Sequence, residues 1–199
     1  MSNGTTSRVD YSFQHKKCVR RPSSFDMHDS KQVFSELSIN EGDIFLDMGC
    51  GAGDYTKRAS QSVGDSGLVY AMDIREDMIE SLRAEVNSQG FRNIKTIVAD
   101  ITAPLPIESQ SIDICLLSTV LHAVEMDNRR TIFSELHRIL KYGGRVAIIE
   151  CKKEDMPFGP PKHMRLSPEE VERAMTQYGF EMINLVDLGY NYMIQCSAK

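Results

Sequence analysis

The sequence predicts an α/β fold: one seven-stranded, mostly parallel sheet with helices on both faces and an antiparallel hairpin at its end. Short apolar runs alternate with longer segments in which apolar residues recur at helical spacing, as expected for strands joined by crossover helices. The last two β-rich segments, 181–188 and 191–197, are separated only by Gly189 and Tyr190, which predicts the hairpin. With 199 residues, 41% of them hydrophobic, the chain suits a single domain.

A glycine-rich turn follows the first strand, which is predicted at 44–48. The glycines occupy alternate positions: Gly49, Gly51 and Gly53. Such a turn lets the backbone approach a ligand, and the helix after it, with Asp54 as its expected N-cap, presents free N–H groups.

Asp47, near the end of this strand, indicates the charge of the ligand. It would repel the pyrophosphate that dinucleotide folds bind with a different spacing, G-x-G-x-x-G, but it would suit a cationic group. S-adenosylmethionine combines an adenosine with an amino-acid cation and satisfies both features.

This stretch resembles motif I of the class I S-adenosylmethionine-dependent methyltransferases. The segment 136–145 resembles the E-x-x-R-v-L-k-p-G-G segment of small-molecule methyltransferases related to ubiquinone and menaquinone biosynthesis, with Tyr142 at the usual proline. The resemblance covers 30–199 and implies a methyltransferase domain of the Rossmann-like class I fold. It also implies S-adenosyl-L-methionine as cofactor, S-adenosyl-L-homocysteine as its product, and a small-molecule substrate.

Two further acids are candidates for binding this cofactor. Asp73 ends the second predicted strand 20 positions after Gly53, the offset at which Rossmann-like folds place a carboxylate on ribose hydroxyls; a helix cap is the alternative. Asp100 follows the strand at 94–99, and the resemblance implies a hydrogen bond to the adenine amino group; a turn residue is the alternative. The predicted cofactor-binding set is Asp47, Gly49, Cys50, Gly51, Gly53, Asp73, Ile74, Met78, Asp100, Ile101 and Ser118.

Three expectations concern the helices. Met78 should offer apolar surface to adenine while also heading the core stripe of its helix, with Ile79, Leu82 and Val86. Asp127 should cap a long helix. The pair Gly143-Gly144 should close that helix before a strand at 146–150.

His122 and Glu150 are the candidates on the substrate side. His122 follows the strand at 112–119 and is the predicted catalytic residue, either as a base or by polarising a substrate oxygen; a helix-start residue satisfied by backbone is the alternative. Glu150 ends the next strand, with a salt bridge to Lys152 or Arg145 as its alternative.

The segment 152–163 is rich in helix breakers and is interpreted as a lid, with a surface loop as the alternative. We expect apolar walls around a small, partly hydrophobic substrate. The expected wall residues are Leu121, Phe158, Met164, Tyr190 and Tyr192.

Residues 1–29 form a polar N-terminal arm. A basic group that includes Arg20 and Arg21 lies just before the first helix, so the arm is interpreted as a flap over the cofactor, with a loosely attached arm as the alternative.

Composition narrows the function classes. A net charge of -5 disfavours bulk electrostatic binding of nucleic acid, and no apolar run is long enough to cross a membrane. The five cysteines are odd in number and lie far apart, so neither a disulfide framework nor a metal site is expected. The expectation is therefore a cytoplasmic monomer or homodimer without nucleic-acid or membrane partners.

Two rival functions remain open. A nicotinamide-dependent oxidoreductase shares the fold and the ribose acid, but the glycine spacing and the lack of a Tyr-x-x-x-Lys pair disfavour it. A non-catalytic, cofactor-binding regulatory subunit is the second rival, and the intact cofactor residues disfavour it.

Overall fold

A computed structural model describes residues 24–199 and contains one seven-stranded sheet with the strand order β3-β2-β1-β4-β5-β7-β6. The strands are β1 (Ile44–Met48), β2 (Leu68–Asp73), β3 (Ile94–Val98), β4 (Ile112–Ser118), β5 (Leu140–Cys151), β6 (Phe180–Leu188) and β7 (Asn191–Ala198). Strands β1 to β5 pair in parallel, whereas β7 lies between β5 and β6 and is antiparallel to both. The predicted sheet and its terminal hairpin are confirmed.

Helices cover both faces of the sheet. They are α1 (Ser30–Leu37), α2 (Asp54–Val63), α3 (Glu76–Gln89), α4 (Met126–Ile139) and α5 (Pro168–Thr176). Buried residues of α1 and α2 pack in one cluster with strand residues of one face, and those of α4 and α5 pack in another with residues of the opposite face. No helix within residues 24–199 combines the length and the apolar character needed to span a bilayer.

The alternation of side chains along β1 fixes which residues meet each layer. Phe45 packs with α1 and α2, whereas Leu46 and Met48 pack with α4 and α5. Asp47 therefore points to the α2 side, where Thr56 of α2 contacts it. One acid is thus placed beneath the first turn of the helix that follows the glycine loop.

The two predicted helix caps are wrong. Helix α2 has Gly53 as its N-cap, in the left-handed region at φ 77°, and Asp54 is the first helical residue. Helix α4 has Glu125 as its N-cap, and Asp127 lies in the first turn. Both acids nevertheless lie at the positive end of a helix dipole, which favours a negative charge there without a capping hydrogen bond.

The glycine pair after α4 does not close the helix, contrary to the prediction. The helix ends at Ile139 and β5 begins at Leu140, with the glycines inside a bulge of that strand. The bulge is visible in the register with β4, because Ile112 pairs with Leu140 but Ile114 pairs with Arg145. Residues 141–144 of β5 therefore lie opposite a single residue of β4 between these pairs.

Gly143 and Gly144 should respond differently to substitution. Gly143 has φ 75° and open space where a Cβ would lie, so Asn, which tolerates this conformation, should destabilise less than Ala. At Gly144 a Cβ would lie 2.8 Å from the carbonyl oxygen of Lys141, so Asn should destabilise at least as much as Ala. Urea unfolding of the four variants measures this, with a loss of about 1 kcal/mol or more expected for each Ala variant. The same Asn-to-Ala ranking at both positions would contradict the assigned bulge.

Candidate functional site

A cavity of about 1150 Å³ opens at the carboxyl ends of β1 to β4. The strand order reverses here, between β1 and β4, which is where open α/β sheets bind ligands. Most of the predicted cofactor-binding residues line it: Gly49, Cys50, Gly51, Asp73, Ile74, Met78, Asp100, Ile101 and Ser118. Asp47, Gly53 and His122 do not line the cavity.

The glycine loop is held against the end of β2. The backbone N–H groups of Gly49 and Cys50 both donate to the carbonyl oxygen of Met72, at 2.7 and 2.9 Å. Gly49 has φ 82°, and a Cβ there would lie 2.5 Å from a methyl carbon of Val120. The loop therefore requires glycine here both for its backbone conformation and for its packing.

Gly53 has a packing role. A Cβ at this position would lie 2.3 Å from Leu82 of α3, so glycine lets α3 approach the start of α2. This contact, and not an approach to the cavity, explains why the third glycine is needed.

Asp73 uses both carboxylate oxygens to organise the floor of the cavity. Oδ2 accepts a hydrogen bond from the Gly51 N–H and Oδ1 accepts one from the Arg75 N–H, each at 2.9 Å. The N-cap of α3 is Arg75, so Asp73 is not the helix cap that the alternative interpretation required. Asp73 fixes the glycine loop and still borders the cavity.

An apolar patch lies beside Asp73. Ile74 is 62% exposed, and Met78 and Ile101 border the same cavity. Met78 is only partly buried, which corrects its assignment to the core stripe. The buried stripe of α3 consists of Ile79, Leu82 and Val86.

Asp100 forms the turn that its alternative interpretation predicted. Its Oδ1 accepts hydrogen bonds from the backbone N–H and the hydroxyl of Thr102, at 2.8 and 2.7 Å, as in an Asx turn. The backbone bond and then the hydroxyl bond hold the pKa of this carboxyl below its ordinary value, so it is ionised at neutral pH. It is also part of the cavity lining.

Asp47 lies beneath the loop and is 2% exposed. Its Oδ2 accepts a hydrogen bond from the Thr56 hydroxyl at 2.6 Å. Burial raises the pKa of this carboxyl to about 7; the hydrogen bonds from Thr56 oppose the rise, and the charges of Asp73 and Asp54 add to it. Asp47 therefore does not border the cavity and is bonded instead to α2 through Thr56.

His122 and Glu150 form a pair at the ends of β4 and β5. The His122 Nδ1 lies 2.7 Å from Glu150 Oε2, and the His122 backbone N–H donates to Oε1 at 3.3 Å. The side chains are 17% and 1% exposed, respectively. The predicted salt bridges of Glu150 are not formed, because Lys152 pairs with Asp187 and Arg145 donates to the carbonyl of Ser38.

A hydroxyl cluster in the cavity lining was predicted only in part, because the sequence analysis named Ser118 but neither Ser24 nor Tyr55. The Oγ atoms of Ser24 and Ser118 lie 2.9 Å apart, and the Tyr55 hydroxyl contacts the Nε2 of His28. Burial raises the pKa of Tyr55 to about 12, and hydrogen bonds with Ser118 and Ser24 oppose the rise. Tyr55 directly follows Asp54, so its place in the first turn of α2 was the available signal.

The described part of the predicted arm reaches this rim, because Ser24 lines the cavity. Arg20 and Arg21, on which the flap interpretation was based, lie outside the described residues, as does Cys18. The flap therefore stays a prediction.

The segment 152–165 folds around one side chain. Arg165 is 4% exposed and donates to the backbone carbonyls of Lys152, Glu154, Phe158 and Pro160 at 2.7 to 3.2 Å. A guanidinium with its donors aimed at several carbonyls fixes a loop whose regular structure is limited to a short 3-10 helix, Lys162–Met164. At the far end of the segment, a capping box of Ser167 and Glu170 starts α5.

The expected apolar walls do not form around the cavity. None of the five wall residues lines it. Phe158 packs edge-on against Tyr190, with ring centroids 4.7 Å apart, and Leu121 is fully buried in the core. Tyr192 is also buried, and its hydroxyl is satisfied by donating to the carbonyl of Leu166. The packing requirements of the last strands thus outweigh any role of these side chains at the cavity.

The chain is similar to known proteins in both sequence and structure. Residues 39–192 match the family described as Methyltransferase domain. The chain belongs to this family. A SAM-dependent methyltransferase from Aquifex aeolicus has a crystal structure that superposes with a TM-score of 0.82, at 28% identity over 90% of this chain and 94% of that one.

Curated relatives include two demethylmenaquinone methyltransferases. The protein of Lactococcus lactis subsp. lactis is 33% identical over 137 residues, which is 68% of this chain and 53% of that protein. The protein of Lactobacillus johnsonii is 29% identical over 169 residues, which is 85% of this chain and 66% of that protein. The chain thus spans between about half and two thirds of the length of these relatives.

Within residues 24–199, no group of three or more His, Cys, Asp and Glu side chains is placed to hold a metal ion. The cysteines of this part of the chain, Cys50, Cys115, Cys151 and Cys196, are free and buried.

Replacing Asp47 with Asn should flatten the dependence of stability on pH. The pKa of this carboxyl is raised from 3.8 to about 7 in the folded protein, so its contribution to stability is present below pH 3.8 and is lost as the pH rises through about 7. Over that window the free energy of unfolding of the wild type should fall relative to that of Asp47→Asn, by at most about 1.4 kcal/mol per pH unit.

Urea unfolding at several pH values within this window measures the difference. Asp65→Asn, which changes an exposed acid in the turn after α2, is the matched control. A difference between wild type and Asp47→Asn that does not vary with pH would contradict the assignment.

Proposed function

We propose that this protein is an S-adenosylmethionine-dependent methyltransferase acting on a small, partly hydrophobic molecule. The carrying observation is the charge of the cavity. The described lining contains five acidic side chains and one basic side chain, Arg75. The acids are Asp54, Asp73, Glu85, Asp100 and Glu125. Such a lining favours a cationic ligand and disfavours a pyrophosphate, which supports a sulfonium cofactor over a nicotinamide dinucleotide.

The residues present fit this cofactor. Its ribose hydroxyls can donate to the Asp73 carboxylate at the end of β2, as in other Rossmann-like folds. Ile74 and Met78 offer apolar surface to the adenine, with Ile101 beside them, and the ionised Asp100 is suited to accept a hydrogen bond from the adenine amino group. The adenine would thus have apolar side chains against its face and a hydrogen-bond acceptor at its edge.

The amino-acid part of the cofactor would meet the glycine loop. Gly49, Cys50 and Gly51 bring backbone to the cavity, with Ser118 on the opposite side. Asp47, which is only partly ionised at neutral pH, lies beneath this loop, and Gly53 sets the spacing of the helices that support it. These roles extend the sequence prediction and assign direct contact only to residues that border the cavity.

When bound, the cofactor supplies an activated methyl group, so the protein has mainly to position the reactants. Holding two reactants in line can contribute about 7 to 11 kcal/mol to catalysis. The chain supplies the rigid floor for this through the hydrogen bonds of Asp73 and Met72 to the glycine loop. His122, at the end of β4, is the proposed base for an acceptor that must lose a proton.

A small acceptor is supported by the shape and composition of the site. The cavity includes the apolar residues Val120, Ala123 and Val124 near the end of β4. Two of the curated relatives are named for a quinone-type acceptor, so phenolic or quinol compounds form the first panel to test. A net charge of -5 gives no basic groove for a nucleic acid. We also propose a cytoplasmic monomer or homodimer, in keeping with the free thiols of the described chain.

Calorimetry and turnover together test the proposal. Calorimetry with S-adenosylhomocysteine and with NAD should give binding of the first only, and binding of NAD alone would support the oxidoreductase. Incubation with a methyl-labelled cofactor and the phenol and quinol panel should then give labelled product. Tight binding of S-adenosylhomocysteine without transfer to any compound would favour the non-catalytic subunit.

Asp73→Ala should weaken binding of S-adenosylhomocysteine by about 1.5 to 3 kcal/mol, the loss expected for hydrogen bonds to a charged group. The variant removes the proposed ribose acceptor and also frees the Gly51 N–H from its partner. Calorimetry measures the affinity, and urea unfolding checks that the variant is folded. Asp65→Ala is the control and should bind like the wild type. Unchanged affinity in a folded Asp73→Ala protein would contradict the assigned ribose contact.

A further inference from the structure

The pairing of Glu150 with His122 is not explained by the fold alone. Glu150 ends the buried part of β5 and is 1% exposed. Burying a carboxylate costs several kcal/mol unless it is paired and hydrogen-bonded, and an apolar residue would pack here without that cost. Within residues 24–199, its hydrogen-bond partners are the backbone N–H and the ring nitrogen Nδ1 of His122. The hydrogen bonds of this buried carboxylate are therefore all made with one residue.

The turn that carries His122 is held from its other side as well. The Nε of Arg129, on α4, donates to the carbonyl oxygens of Leu121 and Val124 at 3.1 and 2.9 Å. The backbone on both sides of His122 is thus tied to α4, while its own N–H is tied to β5. A ring held in this way has its orientation fixed before any ligand binds.

The position of the pair relates it to the cavity. Val120 and Ala123, which flank the short turn, line the cavity, and the His122 side chain is 17% exposed. On the other side, β5 ends one residue after Glu150 and the loop folded around Arg165 begins. Within the described chain, His122 Nε2 has no hydrogen-bond partner. This leaves one ring nitrogen unpaired, on a turn whose neighbouring residues line the cavity.

We propose that Glu150 is a positioning residue that holds His122 as the Nδ1–H tautomer, so that Nε2 accepts a proton from the methyl acceptor. The proposal rests on the proposed function. An ionised carboxylate is an acceptor only, so the nitrogen that faces it must carry the hydrogen and the other nitrogen keeps its lone pair. The proton leaves an O–H or acidic C–H bond of the acceptor, whose electron pair stays on the acceptor atom. The resulting imidazolium is neutralised by Glu150 and afterwards releases the proton to solvent.

Glu150→Gln tests this assignment, because the amide should reverse the tautomer. The His122 backbone N–H needs an acceptor, so the Gln carbonyl oxygen should take the place of Oε1. The Gln NH₂ group then faces Nδ1, which must become an acceptor, and the hydrogen moves to Nε2. The variant side chain keeps the shape of glutamate, but His122 can no longer accept a proton at Nε2. We expect kcat to fall by about 10²- to 10⁴-fold, the usual range for loss of a general base, with the KM for the cofactor changed less than threefold.

Nitrogen-15 NMR of the histidine rings gives a readout that does not depend on activity. The His122 signals are assigned by comparison with His122→Ala. The wild type should show the Nδ1–H tautomer and Glu150→Gln the Nε2–H tautomer, with unchanged affinity for S-adenosylhomocysteine. Glu181→Gln, which changes an exposed acid on β6, is the matched control and should alter neither tautomer nor kcat. In the His122→Ala background, Glu150→Gln should cause no further loss of kcat.

Three results would overturn the proposal. They are an Nε2–H tautomer in the wild type, a Glu150→Gln protein that keeps the Nδ1–H tautomer, and a folded Glu150→Gln protein with kcat within twofold of the wild type. The first is measured on the wild type, so the proposal stays testable even if the variant does not fold. A wild type that binds S-adenosylhomocysteine and has the Nδ1–H tautomer but methylates nothing would instead overturn the proposed function, so the two failures are distinguishable.

Discussion

The candidate site depends on the hydrogen bonds between the glycine loop and the end of β2. Met72 accepts two backbone N–H groups of the loop through its carbonyl, and Asp73 accepts a third through its carboxylate. These bonds join the first and second strands at their carboxyl ends, so the loop cannot move independently of the sheet. The cavity therefore has a floor made largely of backbone, whose position is set by the parallel register of β1 and β2.

Electrostatics divide this site into two regions. Three acids, Asp47, Asp54 and Asp73, lie around the glycine loop. The negative charges of Asp73 and Asp54 add to the rise in the pKa of the buried Asp47. At the ends of β4 and β5, the single buried carboxylate of Glu150 is committed to His122. The first arrangement favours a cationic ligand. The second fixes the orientation of the His122 ring by hydrogen bonds to its backbone N–H and to Nδ1.

Local patterns predicted the elements well, and the contacts between elements less so. The bounds of β1 and β2 agree with the sequence prediction because each apolar run is closed by an acid or by glycine. The glycine pair in β5 was misassigned because two adjacent glycines fit a helix end and a strand bulge equally, and the neighbouring strand decides between them. His122 and Glu150 were each identified, but their pairing depends on β4 and β5 being neighbours in the sheet. Likewise, Tyr55 reaches the cavity rim through contacts with Ser24 and His28, whose path no local pattern reveals.

The place of β7 inside the sheet has a consequence for the order of folding. Strand β6 is made first but pairs only with β7, and β7 pairs with β5 through residues as far apart in sequence as Arg145 and Ser197. On a growing chain, β6 therefore lacks its native partner until β7 has emerged, and both strands join the sheet only then. Until then the edge of β5 stays open, with Glu150 at its end, since the partner of Glu150 in the ladder is Tyr192. The end of β5 that carries Glu150 is thus the last part of the sheet to be enclosed during synthesis, after the strands around the glycine loop are complete.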